Sequence, residues 1–285
     1  MANPIKQFID GRLPGLGVQY RKWRDDWIYA KTKPYQSSQG LVIYGDTSSH
    51  YTSSNAIEDR LESEEIKFVR SLFADIDVFV DIGANIGIFS MLAAQAGKAV
   101  VAIEAHPRNF QNLLRNLDEN DIGGVECFNI ALSNSVGVAS LFGSGEMASL
   151  TTGWGGKIVN HSVLTATDTL DNLIGDRFPG KRLLIKMDVE GHEASVLSGA
   201  QDVLNRNPQA TWFFEHGFDQ HFNGINPYYL EVFEHFWRAN YQVMPADADI
   251  GFLDPAVVRD AVSKGVNPYP GNLNFMARAN PTNDE

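Results

Sequence analysis

Three groups of ionisable side chains stand where apolar runs end. Asp81 follows Val78-Phe79-Val80 and precedes the turn Gly83-Ala84-Asn85-Ile86-Gly87; Glu104 follows Ala99 to Ile103. Farther on, Leu183 to Met187 ends at Asp188 and continues Val189-Glu190-Gly191-His192-Glu193, and Thr211 to Phe214 ends in Glu215-His216. Carboxylates in such places can balance a cation or accept hydrogen bonds from hydroxyl groups. A histidine or carboxylate within hydrogen-bond reach can take the proton of an alcohol. The ends of parallel strands are where open α/β sheets keep their sites.

The first group has the form of a strand, a glycine-rich turn and a helix. Gly83 and Gly87 let the backbone turn tightly and approach a ligand, and the helix start offers unpaired N–H groups with a partial positive charge. The turn is not the three-glycine dinucleotide fingerprint, and Asp81 would sit poorly beside a pyrophosphate. Glu104, at the end of the second strand, is placed to accept hydrogen bonds from two ribose hydroxyls. An adenosine ligand without phosphates fits best, and S-adenosylmethionine is the common one.

The elements around these residues follow from hydrophobic spacing. Ala56 to Phe73 reads as a helix carrying Ile57, Leu61, Ile66, Val69, Leu72 and Phe73. A helix follows the glycine turn over Phe89 to Gln95. Pro107 opens the next one, to which Phe110, Leu113, Leu114 and Leu117 give a buried side. Val125 to Ile130 is the third strand and runs into Ala131 and Leu132; Asn129 to Ser133 are the candidates to border an adenine. Val136 to Phe142 and Ser162 to Ala166 read as a hairpin. Its connection, broken by glycines at 143, 145, 153, 155 and 156 and carrying Trp154, has the length of a lid or binding loop. A helix is expected over about 192 to 205, another over Tyr228 to Asn240, and strands over Tyr241 to Met244 and Asn272 to Ala277. The stretch from Ala246 to Pro270 reads as turn formers.

Bulk properties narrow the classes. Hydrophobic content of 44% and charged content of 20% over 285 residues describe a globular protein with room for one large domain. The net charge of −12 supplies no long positive track for a nucleic-acid backbone. Cys127 is the only cysteine, so no intramolecular disulfide forms. The first residues, MANPIKQFIDGR, lack an apolar core of signal-peptide length, and no run approaches a membrane span. A cytoplasmic enzyme with no integral membrane segment is the expectation. Residues 1–55 form a leader, with Arg21, Lys22 and Arg24 among Tyr20, Trp23, Trp27 and Tyr29; it is either a structural flap or a partner surface, and a homodimer would use its aromatic groups.

At VFVDIGANIGIFS, VVAIEAHPRNFQNLLRNL, TLDNLI and LLIKMDVEGHEASVLSGA the chain resembles the FkbM family of S-adenosylmethionine-dependent methyltransferases. The resemblance runs from about Glu64 to the final strand near Ala277. It implies an α/β, Rossmann-like class I methyltransferase fold over residues 56–280. That fold has a mainly parallel seven-stranded sheet with the last strand antiparallel, helices on both faces, and here an inserted hairpin and loop at about 134–166. It also implies O-methylation, often of sugar hydroxyls or polyketide alcohols, so the expected partner is a small molecule or glycan with a hydroxyl group. Carried over by position, Asp81, Gly83, Ala84, Asn85 and Gly87 would cradle the methionine portion and Glu104 the ribose. Asn129, Ala131 and Leu132 would approach the adenine, and Asp188 and Glu190 would face the cofactor or acceptor. Lys186 departs from an apolar strand pattern; its side chain either reaches a carboxylate at the sheet edge or snorkels outward.

Methyl transfer to an alcohol asks for alignment and for a base. His216 is the first candidate, followed by His192, Glu215 and Asp188, and a strand-capping structural role for His216 competes with the catalytic one. Asp188, Glu190, Glu215 and His216 could also hold a divalent cation, although no short ligand motif compels it. Three alternatives stay open. They are methyl transfer to nitrogen or carboxylate, a non-catalytic S-adenosylmethionine-binding scaffold, and, if the ligand is another, a nicotinamide dehydrogenase.

Overall fold

A computed structural model describes residues 34–45, 61, 63–143, 148–151, 162–206, 210–220, 222, 224–246, 250–271 and 273–280. Most of the leader, His50, Tyr51, Ile57, Trp154, Asp247 and Asp249 lie outside the described residues.

Seven strands form the main sheet: β3 (Val78–Ile82), β4 (Ala99–Ile103), β5 (Val125–Phe128), β9 (Leu183–Met187), β10 (Thr211–Glu215), β11 (Tyr241–Pro245) and β12 (Asn274–Ala279). Their order is β11-β12-β10-β9-β3-β4-β5. Adjacent pairs from β10 to β5 are parallel, and β12 runs antiparallel to both β10 and β11. This is the mixed, mostly parallel sheet of a class I methyltransferase fold, with its last strand reversed. β1 (Tyr35–Gln36) and β2 (Val42–Ile43) make a separate antiparallel pair. The expected hairpin is present as β7 (Gly137–Phe142) and β8 (Ser162–Asp168).

Side chains alternate between the two faces of each strand. One face gathers Val78, Val80, Ile82, Leu183, Ile185, Met187, Trp212 and Phe214 under α5 (Glu193–Ser198), α6 (Gln201–Arg206) and α7 (Tyr229–Arg238). The other gathers Phe79, Val100, Ala102, Leu184 and Phe213 under α1 (Glu64–Leu72), α2 (Ile88–Gln95) and α3 (Pro107–Glu119). Such two-sided burial is what parallel strands require.

Several local expectations are corrected. The third strand does not run through to Leu132. It stops at Phe128, and Ala131–Leu132 form β6, which pairs with β8 in a second, three-stranded sheet. Leu114 is exposed; the buried side of α3 is Asn109, Asn112, Leu113, Asn116 and Leu117. The asparagines there replace apolar packing with hydrogen bonds to backbone. Asn116 accepts from the Tyr44 N–H at 2.7 Å and donates to the Ile86 carbonyl at 2.8 Å, while Asn120 accepts from Val42 N–H at 2.8 Å. They tie β2 to the glycine turn. Between Ala246 and Pro270 the chain folds α8 (Pro255–Ser263), whose Asp254 side chain caps the Ala256 N–H ahead of Pro255. An Asp-Pro pair of this kind is a helix-start signal, and it was legible. One more helix, α4 (Leu170–Leu173), is capped by Thr169.

The expected helix over 192 to 205 is two helices, α5 and α6, parted at Gly199. A Cβ there would lie 2.1 Å from the Ser133 carbonyl oxygen, so only glycine lets this turn press against the second sheet. The Gly199 φ of −94° suits any residue, which makes the constraint steric alone. Gly199→Ala is expected to lower stability by about 1–3 kcal/mol in urea unfolding. Gly123→Ala, where an added Cβ meets nothing within 4 Å, should stay within about 0.5 kcal/mol of the parent.

Candidate active site

The glycine turn joins β3 to α2 at the C-terminal rim of the sheet. Gly83 (φ +80°), Asn85 (φ +53°) and Gly87 (φ +89°) all take left-handed backbone. The N–H groups of Gly83 and Ala84 donate to the Ile103 carbonyl at 2.9 and 3.0 Å, which fixes the turn to the end of β4. A Cβ on Gly83 would lie 1.8 Å from the Asp188 carbonyl oxygen, so the turn rests directly on the residue after β9. Asp188 N–H in turn donates to the Ile82 carbonyl at 3.0 Å.

Asp81 and Glu104 flank this turn. Asp81 is fully buried; its Oδ2 accepts from Ser90 Oγ at 2.6 Å, and Oδ1 has no hydrogen-bond partner. Burial raises its pKa, against the opposing pull of Lys186 and the Ser90 hydrogen bond. Glu104 accepts from the Asn85 N–H at 2.8 Å through Oε2 and from the His106 N–H at 2.7 Å through Oε1. Each oxygen keeps acceptor capacity for a hydroxyl. Burial pushes this carboxyl up to about 7. Asn129 lies beside it, donating to the Glu104 carbonyl at 2.8 Å, whereas Ala131 and Leu132 are buried in β6 of the second sheet. Asn109, which donates to Glu104 Oε1 at 3.5 Å, was not anticipated. The helical spacing of asparagines 109, 112, 116 and 120 is the signal that could have found it.

The second cluster divides by face. β3 and β9 pair with Asp81 opposite Lys186, and β9 pairs with β10 with Lys186 opposite Phe213. Two residues on, Asp188 and Glu215 continue the same face, so Asp81, Lys186, Asp188 and Glu215 form one row. Lys186 does not snorkel: it is 2% exposed and its Nζ lies 3.1 Å from Asp188 Oδ2. The Asp188 charge, with burial behind it, pushes Glu215 up to about 8.

His216 belongs to the opposite face. Its ring stacks on Tyr229 of α7 at 5.0 Å and 9°, and its Nε2 lies 3.1 Å from the Tyr229 carbonyl, to which it can only donate. Nδ1 faces Glu193 Oε2 at 3.7 Å. The residue is 2% exposed. Strand alternation thus separates it from Glu215, although both line a cavity of about 10 Å³, the size of one water, with Asp188, Glu190 and Glu193. His192 caps α5 with its Nε2 3.1 Å from Ser133 Oγ, and burial lowers its pKa. Glu190 holds a left-handed turn (φ +56°) whose carbonyl accepts from Ser149 Oγ at 2.6 Å, and the Gly191 carbonyl accepts from Thr151 Oγ1 at 3.0 Å. Among the described residues no three His, Cys, Asp or Glu side chains are arranged to hold a metal ion, and no helix is long and apolar enough to cross a membrane.

The strained glycine turn, the buried Asp81 oxygen and the paired acceptors of Glu104 fit S-adenosylmethionine, a cationic ligand with a ribose diol. In its absence the raised carboxyl of Glu104 makes a pH signature. The folded state keeps a proton on Glu104 up to about 7, whereas the unfolded chain releases it near 4.5. Stability therefore falls as pH rises through that window and is level above it. Wild-type unfolding free energy should drop by about 1–3 kcal/mol from this group between those pH values, and Glu104→Gln should flatten that part of the slope in urea titrations.

Comparison with known proteins places this geometry. The sequence model of the Methyltransferase FkbM domain matches residues 81–243, more than half of the chain. A hexuronic acid methyltransferase, AglP, of Haloferax volcanii is 29% identical over 185 residues, covering 63% of this chain and 75% of that protein. Methyltransferase 1 of Beauveria bassiana is 26% identical over 151 residues, with 46% and 61% covered. Among solved structures, the ribosomal protein L11 methylase of Lactobacillus delbrueckii subsp. bulgaricus aligns with a TM-score of 0.40 at 10% identity, covering 76% of this chain and 80% of that one. On the match from the Asp81 turn through the Asp188 motif to β11, the chain belongs to the FkbM family of S-adenosylmethionine-dependent methyltransferases.

Proposed function

We propose that this methyltransferase acts on a hydroxyl group of a carbohydrate or a small natural product, with Asp188 as the base. The observation that carries the reading is the row Asp81–Lys186–Asp188–Glu215, in which Asp188, beside the glycine turn, has a side chain that is 21% exposed. Likeness to a hexuronic acid methyltransferase supports a sugar acceptor.

When bound, S-adenosylmethionine supplies an electrophilic methyl group on a sulfonium that leaves as a neutral thioether. The chain's own residues do the remaining work. Glu104 would accept from the ribose hydroxyls, Asn129 would border the adenine, and Asp81 would balance positive charge in a dry setting. Asp188 would take the acceptor's hydroxyl proton on the oxygen that Lys186 leaves open. Asp188 suits this better than His216, whose Nε2–H is committed to Tyr229 and whose ring is buried under α7. Glu215 holds its proton to about pH 8 and serves as a donor toward the acceptor rather than as a base. His192, turned toward Ser133, sits on the second-sheet side of the rim.

A hexuronic acid offers a carboxylate as well as hydroxyls. Asp188, Glu190 and Glu193 around one cavity repel an anionic group at this rim, which favours the hydroxyl. Methyl incorporation from labelled S-adenosylmethionine into a panel of neutral glycosides and hexuronides should yield an ether that survives mild alkali; an alkali-labile product would be an ester and overturn the hydroxyl reading. With the acceptor found, Asp188→Asn should lower kcat by about 10²–10⁴-fold and leave S-adenosylhomocysteine affinity within threefold, as read by calorimetry.

A further inference from the structure

One cation is buried within the carboxyl row, and the local strand pattern does not call for it. Lys186 occupies the middle of a β9 whose other side chains are apolar, where methionine or leucine would pack without charge. The residue is 2% exposed, and its ammonium lies 3.1 Å from Asp188 Oδ2 and 4.9 Å from the centroid of the Phe89 ring. Removing an ammonium from water is costly unless partners in good geometry offset it. A purely structural role is therefore expensive, and the partners point to another.

The groups that face this row come from every element packed on it. Asp81 stands on β3 with Ser90 of α2 against it, Asp188 follows β9, and Glu215 closes β10. Glu65 of α1 and Glu193 of α5 add negative charge at Glu215. Carboxyls crowded in one dry row do not all ionise together; where the proton settles depends on the nearest opposite charge. The ammonium lies 3.1 Å from Asp188 Oδ2.

We propose that Lys186 is the positioning residue of this site: its ammonium engages one oxygen of Asp188 and leaves the other for the acceptor's proton, while its charge acts on the neighbouring carboxyls Asp81 and Glu215. This rests on the reading of Asp188 as the base. In the transfer, the acceptor's O–H proton moves to that free oxygen, the new O–C bond forms as the C–S bond breaks, and Lys186 keeps all its protons. Asp81 feels the Lys186 charge directly, as does Glu215. The lysine thereby sets the ionisation of the whole row from its centre.

The test needs no acceptor. In full-length protein carrying ¹³C-labelled Asp and Glu carboxyls, the resonances of Asp81, Asp188 and Glu215 are assigned by their loss in Asp81→Asn, Asp188→Asn and Glu215→Gln. Lys186→Met should raise the titration midpoints of Asp81 and Glu215, the two carboxyls that its charge holds down, by about one pH unit or more. Lys186→Arg should return both to within half a unit of wild type, and Lys186→Gln serves as the neutral variant if the methionine protein does not fold. Midpoints unchanged in a neutral variant with native circular dichroism would overturn the proposal and leave Lys186 a packing residue. Calorimetry with S-adenosylhomocysteine on the wild type reads separately: absence of binding there would sink the assignment of the cofactor site, whatever the titrations show.

Discussion

The pairing of β3 with β9 in the register that sets Asp81 opposite Lys186 is the constraint on which the site depends. A shift of one residue would turn every side chain of β9 to the other face. Lys186 and Asp188 would then enter the cluster built on Val80 and Phe214, and Met187 would meet Asp81. The apolar majority on both faces holds this register, because Val78, Val80 and Ile82 and Leu183, Ile185 and Met187 must stay together under α5 and α7. The charged row is thus positioned by residues that carry no charge. Its dryness follows from the same packing, since α2 lays Phe89 and Ser90 over it.

Close backbone approaches then join the turn segments to this frame. Gly83 rests on the Asp188 carbonyl and Gly199 on the Ser133 carbonyl, two contacts that no side chain would permit. The first links the cofactor turn to the end of β9. The second presses the second sheet against the α5–α6 break, where the Ser133 N–H already donates to the Asp168 carbonyl at 2.9 Å. From the connection after β7, Ser149, which bridges to Phe142, and Thr151 reach the carbonyls of Glu190 and Gly191 and hold the left-handed turn after Asp188. The described end of the long connection between β7 and β8 therefore takes part in shaping the rim.

Family and fold fix the kind of reaction more firmly than its acceptor. The matched region spans the glycine turn after β3, the glutamate after β4 and the Asp188 motif. A methyl donor brings its own activation, so the protein's task is to align the reactants and govern charge and proton. A row of buried ionisable groups ordered by one lysine is suited to that task.

Much of this was legible in the chain. Alternating apolar runs located the main strands, paired glycines with Asp81 and Glu104 marked the cofactor turn, and the Asp188 motif named the family. Each of these signals is local: a strand shows its period in a few residues, and a turn shows its glycines. Other features depended on contacts across the chain. Nothing near Gly199 says that Ser133 lies against it, so one expected helix became two. The break after Phe128 arises because Ala131 and Leu132 pair with β8, a strand more than thirty residues away. Glu215 and His216 are neighbours in sequence, yet alternation at the strand end and the packing of α7 send them to opposite sides. Lys186 read as an exception in an apolar strand. Only the tertiary register, by placing carboxyls from three strands around it, makes its charge intelligible.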